Sequence, residues 1–230
     1  MPQPPGKKIT GRQSVSKRVL LVDDHAVVRF GMAQILSRES DLAVCGEQED
    51  ATQALTAVGQ LKPDVAIIDI SLKDSSGLEL IRNLKAQHPA LAVLVVSSYD
   101  EAVYAEPAFR AGALGYLMKG DALDKLVPAV RRVLSGNIYV SEAMAARLLD
   151  QQIRGKTGVH KGPTEVLSDR ELEVFQLLGE GLAVREIAKR LHVSVKTVEA
   201  HRTHIKEKLH IRTSPELLRY AIQSSLGDQK

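Results

Sequence analysis

The sequence has no tryptophan, only 3% aromatic residues and a single cysteine. A core built from such a chain is expected to be aliphatic. One cysteine cannot close an internal disulfide, and Cys45, among Leu42, Val44 and Gly46, reads as a small core residue in a reducing, cytoplasmic setting. No apolar run approaches the roughly 18–20 residues that a membrane helix needs. The first residues, MPQPPGKKITGRQSVSK, hold lysines but no apolar stretch. That argues against a signal peptide and for a disordered basic arm over residues 1–17. A glycine-rich phosphate loop is also missing: Asp23-Asp24-His25 follows the first apolar run, which disfavours a dinucleotide site.

What is present suits two folded domains. The chain has 230 residues, 44% apolar and 26% charged, with a formal net charge of +3. That total hides an asymmetry. Residues 18–136 carry twelve bases and sixteen acids, whereas residues 185–212 carry eight bases, three acids and four histidines. An acidic first part and a basic stripe near the C-terminus imply two jobs, one of them touching a polyanion.

Apolar runs at Arg18–Val22, Leu42–Gly46, Val65–Ile70, Ala92–Val96 and Gly115–Met118 read as strands. Helical spacing separates them at Ala26–Ser37, with Val27, Phe30, Ile35 and Leu36 as its apolar residues, and at Thr52–Leu61, Leu78–Ala86, Ala102–Ala111 and Leu123–Leu134. Strands that are apolar throughout and alternate with helices predict a doubly wound α/β domain over residues 18–136, with a five-stranded parallel sheet. Residues 137–167 read as a linker with a short helix at Met144–Leu149. Residues 168–230 read as a small all-α domain of four helices. There Ser168-Asp169-Arg170-Glu171 forms a capping box, and a helix at Val184–Leu191 is joined by His192-Val193-Ser194 to a longer one at Val195–Leu209. Two helices across a three-residue turn, the second one basic, make a helix-turn-helix pattern.

In a doubly wound sheet the ligand site lies beyond the carboxyl ends of the strands. Asp23, Asp24, Asp69, Ser97 and Lys119 all fall there. Clustered carboxylates call for a cation, and few hard oxygen ligands with room for water and phosphate suit Mg²⁺. A neighbouring hydroxyl and ammonium could hold phosphoryl oxygens, which points to phosphoryl transfer onto Asp69, the central carboxylate. Each residue also has a plainer role open to it: Asp23 or Asp24 as a helix cap, Lys119 as a structural partner of Asp69. On the basic helix, Lys196, Glu199, Thr203 and Lys206 share a face opposite Val198, Ile205 and Leu209. Such a helix fits the major groove, with bases on phosphates and shorter polar groups at base edges.

The segments VLLVDDH, VAIIDISL, VLVVSSYDE and AGALGYLMK resemble the receiver domain of two-component response regulators, and LSDRELEVFQLLGEGLAVREIAKRLHVSVKTVEAHRTHIKEKL resembles the LuxR-type helix-turn-helix. Together they are similar to a NarL/FixJ-type response regulator, a DNA-binding transcription factor and not an enzyme apart from its own phosphoryl transfer and dephosphorylation. The resemblance implies that Asp69 is the phosphoacceptor. Asp24, Asp69 and the carbonyl of Ser71 would hold Mg²⁺, with Asp23 acting through water. Ser97 and Lys119 would contact the phosphoryl group, and Tyr116 would change rotamer. Lys196, Thr197, His201 and Lys208 would touch the DNA backbone. Glu199, Ala200 and Thr203 would face bases, unless Glu199 instead orients Arg202. The implied partners are a cognate histidine kinase and DNA with paired half-sites, bound by a homodimer after release from a closed form in which the receiver masks the third helix.

Three departures bear on this. Lys73 stands where such loops commonly carry proline, and Pro107 and Pro128 fall inside helices, where proline kinks the chain or removes a hydrogen bond. They motivate a rival reading, a constitutive DNA-binding protein whose receiver only dimerises. A phosphatase working through an aspartyl-phosphate is the other rival; Ser71, not an acid, stands two residues after Asp69.

Overall fold

A computed structural model of the chain describes residues 16–72, 75–154 and 166–227. Residues 1–15 of the expected arm, Lys73, and residues 155–165 of the expected linker lie outside the described residues. The first part alternates strictly: β1 (Lys17–Val22), α1 (Ala26–Leu36), β2 (Leu42–Gln48), α2 (Ala51–Leu61), β3 (Val65–Ile68), a two-rung hairpin of β4 (Ser71–Leu72) and β5 (Ser75–Ser76), α3 (Gly77–Gln87), β6 (Ala92–Ser97), α4 (Glu101–Ala111), β7 (Gly115–Met118) and α5 (Ala122–Leu134). The main sheet has the order β2-β1-β3-β6-β7, with every pair parallel. This order brings the carboxyl ends of β1, β3, β6 and β7 side by side, the geometry on which the site depends.

The sheet is apolar on both faces because both are covered. Val19, Leu21, Val65, Ile67, Leu94 and Val96 pack under α1 and α5, while Leu20, Val22, Ala66, Ile68, Val93 and Val95 belong to the cluster under α2, α3 and α4. Alternation along each strand divides the two sets, as the pleat requires. The aliphatic expectation holds for these faces but not for the whole core. Tyr104 and Tyr116 are the largest fully buried side chains.

The helices obey their punctuation. Asp50 and Asp100 cap α2 and α4 by accepting from the amides of Gln53 and Ala102. α2 ends at Lys62 before Pro63, and α4 ends at Gly112, whose φ of 106° suits glycine alone. Both prolines are absorbed within their helices. Pro107 is buried in α4 and Pro128 lies on the exposed side of α5, and each helix runs on through its proline although one backbone donor is lost. The apolar face of α1 differs from the expected one. Val27 and Phe30 are 83% and 64% exposed; Leu36 is buried as expected, Ile35 is half-buried against the core, and Met32 completes the buried face. The arc that meets the sheet is set by how the chain leaves β1, which the apolar count alone does not reveal.

The linker helix is longer than expected, α6 (Glu142–Arg154). The C-terminal helices are α7 (Asp169–Gly179), α8 (Val184–Arg190), α9 (Val195–Lys208) and α10 (Ser214–Gly227). Val198 and Ile205 of α9 are buried with Ile187, Leu191 and Leu178, giving the seam that the spacing predicts. The larger buried cluster continues from α3 and α4 into Leu167, Leu172 and Phe175, so α7 packs on the α/β domain. Among the described residues no helix is long and apolar enough to cross a membrane.

Helix α8 lacks half of a cap. Glu186 accepts from the amide of Ala183 at 2.8 Å, but alanine offers no side-chain acceptor in return. Ala183→Thr is expected to raise the stability of the C-terminal helices by about 1 kcal/mol, seen as a higher unfolding temperature; an unchanged or lower temperature contradicts this reading of the cap.

Candidate functional site

Asp69 lies one residue past β3, not within a strand as expected, and its amide donates to the carbonyl of Val22 at 2.9 Å. Gly77 holds the following loop against it: a Cβ there would stand 2.1 Å from the carbonyl oxygen of Asp69. Asp23 and Asp69 are 0% and 3% exposed, and Ser97, at the end of β6, is 1% exposed. Two buried carboxylates this close need a countercharge. Lys119 supplies it, with Nζ 2.7 Å from Asp23 Oδ2 and 2.7 Å from Asp69 Oδ2.

The neutralisation is incomplete. Asp69 Oδ1 is buried and has no hydrogen-bond partner, and burial drives the Asp69 carboxyl above the ordinary range although Lys119 draws it down. Lys119 is itself held above the usual lysine value: burial opposes this, and the charges and hydrogen bonds of Asp69 and Asp23 together outweigh it. Single ligand atoms of Asp23, Asp24, His25 and Asp69 lie within 4.8 Å of one another. The three carboxylates, with the single Lys119 ammonium among them, fit a hard divalent cation such as Mg²⁺, which takes oxygen ligands and keeps several waters. The plainer roles are filled as well: Asp23 Oδ1 accepts from the amide of His25 at 2.8 Å, at the N-terminus of α1.

Behind the acidic cluster, Tyr116 is fully buried and its hydroxyl donates to the carbonyl of Tyr99 at 2.8 Å. Tyr99 in turn donates its amide to Ser97 Oγ at 3.3 Å and stacks on Tyr104 with ring centroids 4.9 Å apart. A chain of contacts therefore joins Ser97 to Tyr116 through one backbone segment. The C-terminal helices sit on that segment. Arg190 lies over the Tyr99 ring at 5.9 Å, and Arg82 of α3 pairs with Asp169 of α7.

Sequence reasoning missed Glu173, which lies in α7 at 0% exposure. Its Oε2 accepts from Arg170 at 2.5 Å, while its Oε1 has no partner, and neither do the hydroxyls of Tyr99 and Tyr104. Burial raises the Glu173 carboxyl to about 7 against the pull of Arg170, and its charge lifts the phenols of Tyr99 and Tyr104 further. In sequence it looks like any glutamate of an amphipathic helix. Only its burial marks it.

On α9, Lys196, Glu199, Ala200, Thr203 and Lys208 are exposed, and Thr197, His201, Arg202 and Lys206 are half-buried. Ser194 caps the helix by accepting from the amide of Thr197 at 3.0 Å. Glu199 pairs with Arg202 at 2.8 Å. Lys208 is bound to Glu171 at 2.6 Å, and burial lowers the pKa of His201. The expected closed form differs in its contact surface. α7 and α8 face the α/β domain, whereas the outer face of α9 stays exposed. The cations of α8 stand opposite the acidic pocket, which accounts for that choice.

Known proteins share this layout. Residues 19–131 match the response regulator receiver domain, and residues 165–221 match the luxR family of bacterial regulatory proteins. The oxygen regulatory protein NreC of Staphylococcus carnosus is 38% identical over 216 residues, covering 92% of this chain and 99% of that protein. RcsB from Salmonella enterica serovar Typhimurium, bound to a promoter in the presence of phosphomimetic BeF3−, is similar at 29% identity, with a TM-score of 0.59 over 90% of this chain and 98% of that one. A structure of two RcsB dimers on two parallel DNAs matches at 28% identity, with a TM-score of 0.54 over 89% of this chain and 97% of that one.

Glu173 gives a pH dependence with a definite sign. Its carboxyl is raised from about 4.5 to about 7 in the folded chain, so the packing it belongs to is strongest below the lower value and weakens as pH rises through the upper one. Glu173→Gln is expected to raise the unfolding temperature by a few degrees at pH 8 and much less at pH 5. An equal change at both pH values contradicts the assignment.

Proposed function

The chain belongs to the two-component response regulators that join a receiver domain to a LuxR-type DNA-binding domain, and we propose that phosphorylation of Asp69 controls its sequence-specific binding to DNA. The observation that carries this reading is the sharing of Lys119 by Asp23 and Asp69, which leaves Asp69 Oδ1 without a partner. That oxygen is free to attack a phosphorus atom. A bond forms between Oδ1 and phosphorus as the bond from phosphorus to the donor breaks. Lys119, tied to the other carboxylate oxygen, stands ready for one of the incoming phosphoryl oxygens, and the Ser97 hydroxyl for another. Held by Asp24, Asp69 and the carbonyl of Ser71, with Asp23 acting through water, Mg²⁺ would supply the positive charge that lets a dianionic donor approach carboxylates.

Phosphorylation adds about −1.5 to −2 charges at Asp69. Recruiting Ser97 to the new group competes with the bond that its oxygen accepts from the Tyr99 amide. A shift of that segment is relayed to Tyr116, which bonds the Tyr99 carbonyl, and to Arg190, which lies over the Tyr99 ring. The packing of α7 and α8 on the receiver is thereby biased toward release. A coupling of about 1–3 kcal/mol is enough. The released form would bind paired half-sites as a homodimer, with a cognate histidine kinase as phosphodonor and the cytoplasm as its setting. The dimeric, DNA-bound RcsB structures support the first part of that reading.

On the DNA, exposed Lys196 and half-buried Thr197, His201 and Lys206 serve the phosphate backbone, together with Lys208 once it leaves Glu171. Ala200 and Thr203 face bases, and Glu199 holds Arg202 in place beside them. The Thr203 hydroxyl is bonded back to the carbonyl of Glu199 at 3.1 Å, leaving its methyl group for thymine contact.

Phos-tag electrophoresis with acetyl phosphate and Mg²⁺ is expected to show a shifted band that disappears in Asp69→Ala; a shift that survives the substitution contradicts the phosphoacceptor assignment. In gel shifts, Lys196→Ala is expected to weaken binding to every sequence and to flatten the log–log salt slope by about 0.9. Thr203→Ala is expected to alter sequence preference. If neither substitution changes binding, α9 is not the reading helix.

A further inference from the structure

One wall of the phosphorylation pocket comes from the DNA-binding domain. A cavity of about 660 Å³ is lined on the receiver side by residues that include Asp24, Asp69 and Lys119, and on the other side by residues of α8 and its turn, among them Lys189, Arg190 and His192. The Nε2 of His192 lies 4.0 Å from Asp24 Oδ2. The turn presents it at some backbone cost, because His192 has a φ of 52°, a left-handed position at the end of α8 that glycine fills more easily. Arg190 is anchored at 3.3 Å to Glu180 and lies over Tyr99.

The charges on the two walls are complementary. Asp23, Asp24 and Asp69 outnumber the single Lys119 among them, and two cations of α8 face that deficit across the cavity. Glu186, also on α8, uses its carboxylate to bond the amide of Ala183. A divalent cation bound to the same carboxylates would cancel the attraction and stand close to His192. The acidic cluster therefore cannot satisfy both partners fully.

We propose that α8 and its turn compete with the divalent cation for the acidic pocket, so that metal binding alone loosens the contact between the two domains before any phosphoryl transfer. Lys189, Arg190 and His192 are then positioning residues that set metal affinity from the opposite domain. The inference rests on reading the pocket as a metal-dependent phosphorylation site, and its test needs no phosphodonor.

The test is a Mg²⁺ titration of the full chain, followed by calorimetry for affinity and by small-angle X-ray scattering for compactness. The expected result is a larger radius of gyration with Mg²⁺, reversed by a chelator. His192→Gly, which suits the left-handed backbone, and Lys189→Ala are each expected to bind Mg²⁺ about five-fold more tightly than the unaltered chain. Equal affinities in all three proteins, or compaction on adding Mg²⁺, overturn the inference and leave the phosphorylation site standing. Absence of Mg²⁺ binding in all three overturns both.

Discussion

One ammonium between two buried carboxylates organises this protein. Lys119 reaches Asp23 and Asp69 at the same distance, and the sheet order brings the ends of β1, β3 and β7 into range of that contact. Without the cation, two desolvated carboxylates would face each other, a combination that ordinarily costs several kcal/mol. With it, the cluster remains short of positive charge, which suits a site that receives a metal ion and a phosphoryl group. The fold tolerates that shortfall at the edge of its core, where the aliphatic sheet faces are otherwise closed on both sides.

Much of this was legible in the sequence because it is periodic or punctual. Buried parallel strands appear as unbroken runs such as VAII and VLVV, and the residues that follow them, Asp69, Ser97 and Lys119, inherit a common location from topology alone. Caps and breakers such as Pro63, Ser168 and Ser194 mark helix ends through local chemistry. What escaped was set by long-range packing. Val27 and Phe30 are apolar and exposed, since the buried arc of α1 depends on how the chain leaves β1. Glu173, Arg190 and His192 belong to contacts between residues far apart in the chain, and no spacing rule singles them out. The pairing of Glu199 with Arg202 likewise depends on rotamers that spacing does not fix.

The contact between the domains gives the two halves a common mechanism. Tyr99 stands between them, bonded through its backbone to Ser97 and Tyr116, with its ring under Arg190. Its hydroxyl, that of Tyr104 and one carboxylate oxygen of Glu173 are buried without hydrogen-bond partners. Such packing is costly to keep and so is readily released. A seam of this kind lets a charge change at Asp69 shift the balance between domain arrangements by a few kcal/mol without any rebuilding of either domain.

The central claim, that the state of Asp69 governs DNA binding, is tested most directly by fluorescence anisotropy on a DNA fragment that the chain itself selects from genomic DNA. Binding is measured for the full chain with Mg²⁺, in the presence and absence of beryllofluoride. The account predicts affinity about 5–150-fold tighter with beryllofluoride, and no difference in Asp69→Ala. Equal affinity under both conditions in the unaltered chain would contradict it.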